Sequence, residues 1–288
     1  MSPIELSFDE GNIYECPLSN IMDARKVIAF HSYKGGTGKT TCITNLAALY
    51  ASQGKKICLM DFDIYAPSLT SYFNADPQYH IHDLLSGKAG IDDVLVDYTK
   101  KLKLDGELHI AFASPAKEDI HSIEINYDNN FQIKSLKQFL AVKKQLLQRE
   151  GFDYIFIDTS PGIRYWSINA LAATDILFLM LKINNMDING TKQMITEIYD
   201  SLTRFGLNTH LILNKVPGAS PLNSYNPNLF NDVQNEIETL LDLPVFLSIP
   251  CYCDIQFNRD EFLWALYKPQ HPFSETLREI PTLLQKIK

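Results

Sequence analysis

Apolar and polar positions alternate along this chain in two regimes: short runs that are almost wholly apolar, and longer stretches where apolar residues return every three or four positions. The runs at 27–30 (VIAF), 56–61 (KICLMD), 108–113 (LHIAFA), 152–158 (FDYIFID), 175–181 (DILFLML), 209–216 (THLILNKV) and 244–250 (PVFLSIP) predict strands buried on both faces. Between them, 40–52 sets Ile43, Leu46, Ala47 and Tyr50 on one helical face and stops at Gly54. A second helix is predicted over 133–148, with Leu136, Phe139, Leu140, Val142, Leu146 and Leu147 inward and Gly151 as its stop, and a third over about 190–202. The stretch IHDLLSG predicts a short helix ended by Gly87, with Leu84 and Leu85 in the core. This alternation is that of an α/β domain: a mostly parallel, twisted sheet of seven or eight strands with helices on both faces.

Two stretches stand outside the pattern. Residues 1–25 read as a polar extension punctuated by Pro3, Gly11 and Pro17, which sets the predicted domain at 26–288. Residues 114–131, asparagine-rich from 119 onward, read as an excursion over the loop face of the sheet.

Composition narrows the class. At 288 residues and 45% hydrophobic content the chain can bury one large core, and no apolar run approaches the roughly 20 residues that span a bilayer. The acidic, polar start is unlike a secretory signal, so a cytoplasmic protein is expected. Five cysteines, an odd number, suggest reduced thiols. The formal charge of −8 disfavours nucleic acid as a partner, since the basic residues gather only in short groups such as KKLK at 100–103 and the pair Lys143–Lys144.

The chemistry is concentrated where the first apolar run breaks into SYKGGTGKTT. Gly35, Gly36 and Gly38 let successive N–H groups converge, with Thr37 between them. A helix N-terminus follows, Lys39 adds an ammonium, and Thr40 and Thr41 add hydroxyls. These are the parts of a phosphate-binding loop, although the usual pattern G-x-x-x-x-G-K-[ST] wants glycine at position 33, where this chain has Tyr33 followed by Lys34. Two further strands end in carboxylates: Asp61 and Asp63 in DFDIYAPSL, and Asp158 in DTSPG. The carboxyl ends of parallel strands are where open α/β sheets bind ligands. A carboxylate placed as Asp158 is can hold the water shell of Mg²⁺, and Gly162 gives the following loop freedom to respond to a γ-phosphate.

KGGTGKT resembles the deviant phosphate loop of the MinD/ParA group of ATPases, which includes Mrp-type carriers and the arsenite and tail-anchored-protein targeting ATPases. DTSPG resembles that family's switch segment, and DIYAPSL its MinD and Mrp form. The resemblance covers about residues 26–280 and implies ATP and Mg²⁺ as the bound species. It implies roles as well: Lys34 reaching the nucleotide of a second subunit in an ATP-dependent homodimer, Lys39 and the loop 34–41 holding phosphates, and Asp63 orienting the attacking water. Thr40, Asp61 and Asp158 would surround the metal, Asn214 would read the adenine edge, and the backbone after Pro250 would wrap the base. Val216 and Pro217 follow Asn214–Lys215 where an NKxD motif would select guanine, so ATP is expected over GTP.

The cellular partner expected from the resemblance is a protein activator or effector, unidentified by the sequence. Three other readings compete. An Mrp-like or targeting carrier would want a CxxC metal pair where this chain has only Cys251-x-Cys253. A small-molecule enzyme of the superfamily would not need Lys34, and a nucleotide-binding scaffold would lack turnover. A C-terminal amphipathic membrane helix is weighed against a core-packed last helix over 273–288. The second is favoured, because Pro281 interrupts the helix and Glu275 and Glu279 occupy its polar face.

Overall fold

The computed structural model describes residues 25–120, 129–199, 207–217, 227–260 and 262–287. The predicted extension therefore lies outside the described residues except for Arg25, as do 121–128 of the asparagine-rich excursion. Eight strands form one sheet: β1 (Lys26–His31), β2 (Lys56–Phe62), β3 (Leu95–Asp97), β4 (Glu107–Ala111), β5 (Tyr154–Thr159), β6 (Ile176–Leu181), β7 (Asn208–Val216) and β8 (Val245–Pro250). Their order is β3-β4-β2-β5-β1-β6-β7-β8, with every pairing parallel except β3 against β4. The antiparallel edge strand β3 is not among the predicted strands: three half-exposed residues give no apolar run to read.

The strands are apolar because both faces of the sheet are covered. In β1, Val27 and Ala29 pack into one core layer while Ile28 and Phe30 pack into the other. The principal helices are α1 (Lys39–Ser52), α2 (Ile81–Ser86), α3 (Asn129–Lys144), α4 (Tyr165–Ala172), α5 (Asn185–Met194) and α6 (Pro227–Leu241). One layer is filled by residues such as Leu84, Phe139, Val142, Trp166, Met194 and Ile237 from α2 to α6. The other is filled by α1, buried along nearly its whole length, and by Leu277, Ile280 and Leu284. The small residues of α1, Ala47, Ala48 and Ala51, let it lie close against the sheet.

Three predicted helices need correction. α3 begins at Asn129, four residues before the apolar periodicity does, and ends in a π-helical turn at Gln145–Arg149 that seats Leu146 and Leu147 inward. α5 begins at Asn185 because the Asn184 side chain accepts from the Asp187 amide, a polar start that periodicity does not register. The chain end forms two short helices, Pro272–Leu277 and Ile280–Leu284, each with proline in its first turn; their apolar residues lie in the core, and Ile287 packs against it. No described helix is long and apolar enough to cross a membrane.

Candidate nucleotide and magnesium site

The sheet order reverses direction around β1. From β1 the chain crosses over β5 to reach β2, and from β5 it later crosses back over β1 to reach β6. The loops after β1, β2 and β5 therefore meet at the carboxyl edge of three neighbouring strands, the place where such sheets hold ligands.

The loop after β1 is shaped by two left-handed glycines, Gly36 at φ 71° and Gly38 at φ 99°. Gly38 is the N-cap of α1 and brings no side chain to its first turn, so the amides there face outward with the positive end of a 14-residue helix behind them. A Cβ on Gly38 would run into the amide nitrogen of Asn214. Asn214 Nδ2 donates to Thr37 O at 2.6 Å, and its Oδ1 accepts from Lys215 N at 2.8 Å. The side chain thus clamps the phosphate loop to the end of β7. A register shift at Asn214/Val216 and the left-handed Lys215 (φ 57°) aim it there.

Lys39 and Lys34 are treated differently. Lys39 is 6% exposed, and its Nζ donates to Ser32 Oγ at 2.9 Å; burial lowers its pKa while Asp158 and Asp63 act to keep it charged. Ser32 Oγ in turn donates to Lys34 O at 2.6 Å, which holds the loop around the ammonium. The Lys34 side chain is 35% exposed and lies 3.8 Å from Asp187 Oδ1, in the first turn of α5. Tyr33, at the position where the common loop has glycine, lays its ring on Gly190 of α5, where any Cβ would clash with it.

The carboxylates converge as the register of β2 with β5 dictates. Asp61 is opposite Asp158, both fully buried. Thr40 Oγ1 donates to Asp158 Oδ2 at 2.6 Å. Asp61 Oδ1 accepts from Asp63 N at 2.9 Å. Asp61 Oδ2 and Asp158 Oδ1 make no hydrogen bond among the described residues. Burial pushes Asp158 up to about 7 despite Lys39 and Thr40. Asp61 is pushed well above the usual carboxylate range, by burial first and then by Asp158 and Asp63. Two buried carboxylates with unmatched oxygens beside a threonine hydroxyl fit a hard, oxygen-seeking cation such as Mg²⁺. Asp63 is 8% exposed; Ser160 Oγ and Ala66 N both donate to its Oδ1, at 2.8 and 3.2 Å, and burial raises its pKa.

The loop after β5 touches the phosphate loop directly. Gly162, at φ 74°, donates its N–H to Ser32 O at 2.8 Å. A Cβ on Gly35 would rest 3.8 Å from Pro161 Cγ. Pro250 and Asn214 line one cleft of about 210 Å³ with Gly38, Lys215, Tyr252 and Asn258. The exposed Cys251 and Cys253 adjoin it.

All the residues singled out in the sequence thus belong to this edge of the sheet, though Lys34 faces α5. Three participants were not: Ser32 and Ser160, whose roles rest on contacts to Lys39 and Asp63, and Asp187, which no motif marks. Ser160 had a signal, its place within DTSPG.

Residues 25–212 match the family model described as "AAA domain". Over 192 residues, 66% of this chain and 70% of the relative, the sequence is 31% identical to the chromosome-partitioning ATPase Soj of Treponema pallidum. Among solved structures, the cell division ATPase MinD of Pyrococcus furiosus superposes with a TM-score of 0.69 at 21% identity, over 91% of this chain and 99% of that one. A cobyrinic acid a,c-diamide synthase of Mycobacterium smegmatis gives a TM-score of 0.68 at 19% identity, over 91% and 95%. The structural likenesses establish the fold and do not choose between its uses; the sequence matches make the chain a member of the AAA-domain family, within its MinD/ParA/Soj group of phosphate-loop ATPases.

Proposed function

We propose that this ATPase is a dimerising switch that binds ATP with Mg²⁺ at the β1–α1 loop, hydrolyses it slowly, and uses the ATP-bound form to regulate or position a protein partner. The observation carrying this reading is the convergence, around the N-terminus of α1, of Lys39, the Thr40–Asp158 pair, Asp61 and Asp63. The similarity to a chromosome-partitioning ATPase supports a positioning role.

In this reading the loop amides and Lys39 bind the β- and γ-phosphates. Thr40, Asp61 and Asp158 would hold Mg²⁺, which when bound neutralises charge on the phosphate oxygens. Asp63, its Oδ1 fixed by Ser160 and Ala66, offers Oδ2 to a water. That water attacks the γ-phosphorus in line, and the bond to the bridging oxygen breaks to release ADP. Lys39 and the amides stabilise the charge on the transferring group. Lys34 swings from Asp187 toward the nucleotide of a second subunit, so each active face completes the other. Asn214 holds the loop and, with the chain after Pro250, borders the base.

Light scattering with ATP, ADP and no nucleotide, alongside a phosphate-release assay, tests the proposal. The expected result is slow turnover and a doubled mass with ATP alone. One mass in all three conditions would move the reading to a constitutive oligomer or a small-molecule enzyme on this fold.

A further inference from the structure

His80, His82 and Asp83, at the start of α2, take no part in the site above, and one donor atom from each lies within 4.8 Å of the others. The backbone there is fixed before any ligand arrives. Ile81 N donates to Phe112 O at 2.8 Å, tying the turn to the end of β4, and His80 N donates to Asp83 Oδ2 at 3.0 Å. Ile81 is buried, and the histidines on either side of it stack their rings 5.6 Å apart at 17°. His82 Nε2 lies 3.5 Å from Asp83 Oδ2 and 3.5 Å from Asp119 Oδ1.

Those separations are longer than a good hydrogen bond. They match the edge, about 3.4 Å, of a tetrahedron of donors bound at about 2.1 Å to one metal ion. The other oxygen of each carboxylate is already occupied: Lys88 Nζ donates to Asp83 Oδ1 at 2.7 Å, and Ser114 Oγ donates to Asp119 Oδ2 at 2.6 Å. Each aspartate is thus oriented from behind with an oxygen turned to His82, the outer support that ligating carboxylates ordinarily have; on Asp83 that oxygen, Oδ2, also accepts from His80 N and keeps a further lone pair for an ion. The side chain of His82 is 12% exposed and that of Asp83 4%, while that of Asp119 is 38% exposed, so the site is walled on the α2 side and open on the side of Asp119.

We propose that His80, His82 and Asp83, with Asp119 as the fourth donor, bind a borderline divalent cation such as Zn²⁺. Two imidazoles among four donors select such an ion over Mg²⁺ or Ca²⁺, which prefer all-oxygen shells. The site lies on the β4 flank of the sheet, across β2 from Asp158, and is independent of the nucleotide reading. A bound ion would tie the start of α2 to the stretch carrying Asp119.

The test uses the untagged full chain, free of nucleotide and Mg²⁺, with ZnCl₂ titrated against a chromophoric chelator. One tightly bound equivalent is expected, falling below a tenth of an equivalent in the double variant His80→Asn/His82→Asn and unchanged in Cys251→Ser/Cys253→Ser. The histidine variant should keep its circular dichroism and its ATP turnover. Should it fail to fold, Co²⁺ bound to the unaltered protein decides. Tetrahedral visible bands without sulfur-to-metal charge transfer support the site, and a thiolate band overturns it. An equivalent retained by a folded histidine variant, lost in the cysteine variant, or never bound by the unaltered protein also overturns it.

Discussion

Lys34 Nζ stands 3.8 Å from Asp187 Oδ1, so the lysine preceding the loop glycines is tethered to α5 of its own subunit. Asp187 is fixed by Asn184, whose Nδ2 lies 3.2 Å from Asp187 Oδ2, but Lys34 is partly exposed and the tether is weak. A γ-phosphate from a facing subunit would compete well for it. Lys34→Ala is therefore expected to retain ATP binding as a monomer and to lose the ATP-dependent doubling of mass, measured by titration and light scattering.

Asp63→Ala should bind ATP and still dimerise while turning over about 10²-fold more slowly, the scale for losing a group that positions the attacking water. Phosphate release at saturating ATP is the measurement, and near-normal turnover would assign the water to another group.

Asp158, held at about 7 by burial, makes a signed prediction for pH. Between about pH 4 and 7 the folded protein keeps a proton that the unfolded chain has lost, so this group lowers stability as pH rises through that window. The nucleotide-free protein should lose melting temperature from pH 5 to 7 by more than Asp158→Asn does. Because a cation requires the ionised carboxylate, the gain in melting temperature from Mg²⁺·ATP should grow over the same range.

Gly190→Ala should destabilise the fold by about 1–3 kcal/mol, because the added methyl meets the Tyr33 ring. Urea denaturation reads this directly, and Tyr33→Ala in the same background should recover part of the loss.

The strands of the sheet interior were legible because burial on both faces leaves an unbroken apolar run, and KGGTGKT, DFD and DTSPG were legible because their chemistry is local in sequence. What escaped depends on contacts between distant residues. The β3 edge is too short and too exposed to carry a pattern. The clamp from Asn214 to Thr37 spans 177 positions and arises from a bulge that β7 acquires only by pairing with β8. Asp187 reads as an ordinary first-turn acid of a helix until the fold brings Lys34 to it.

The pairing of β2 with β5 sets Asp61 directly across from Asp158. Neighbouring parallel strands stand about 4.8 Å apart, and the ladder of backbone hydrogen bonds holds them there. The two carboxylates cannot relieve their repulsion by drifting apart, since a slip of one residue would turn a whole buried strand inside out. Relief has to come from a particle of opposite sign, a proton or a metal ion. The cohesion of the sheet is in this way converted into appetite for a cation, and magnesium affinity should depend on strand pairing far from any ligand: a substitution that loosens the β2–β5 ladder would weaken the ion's hold without touching a single atom that contacts it.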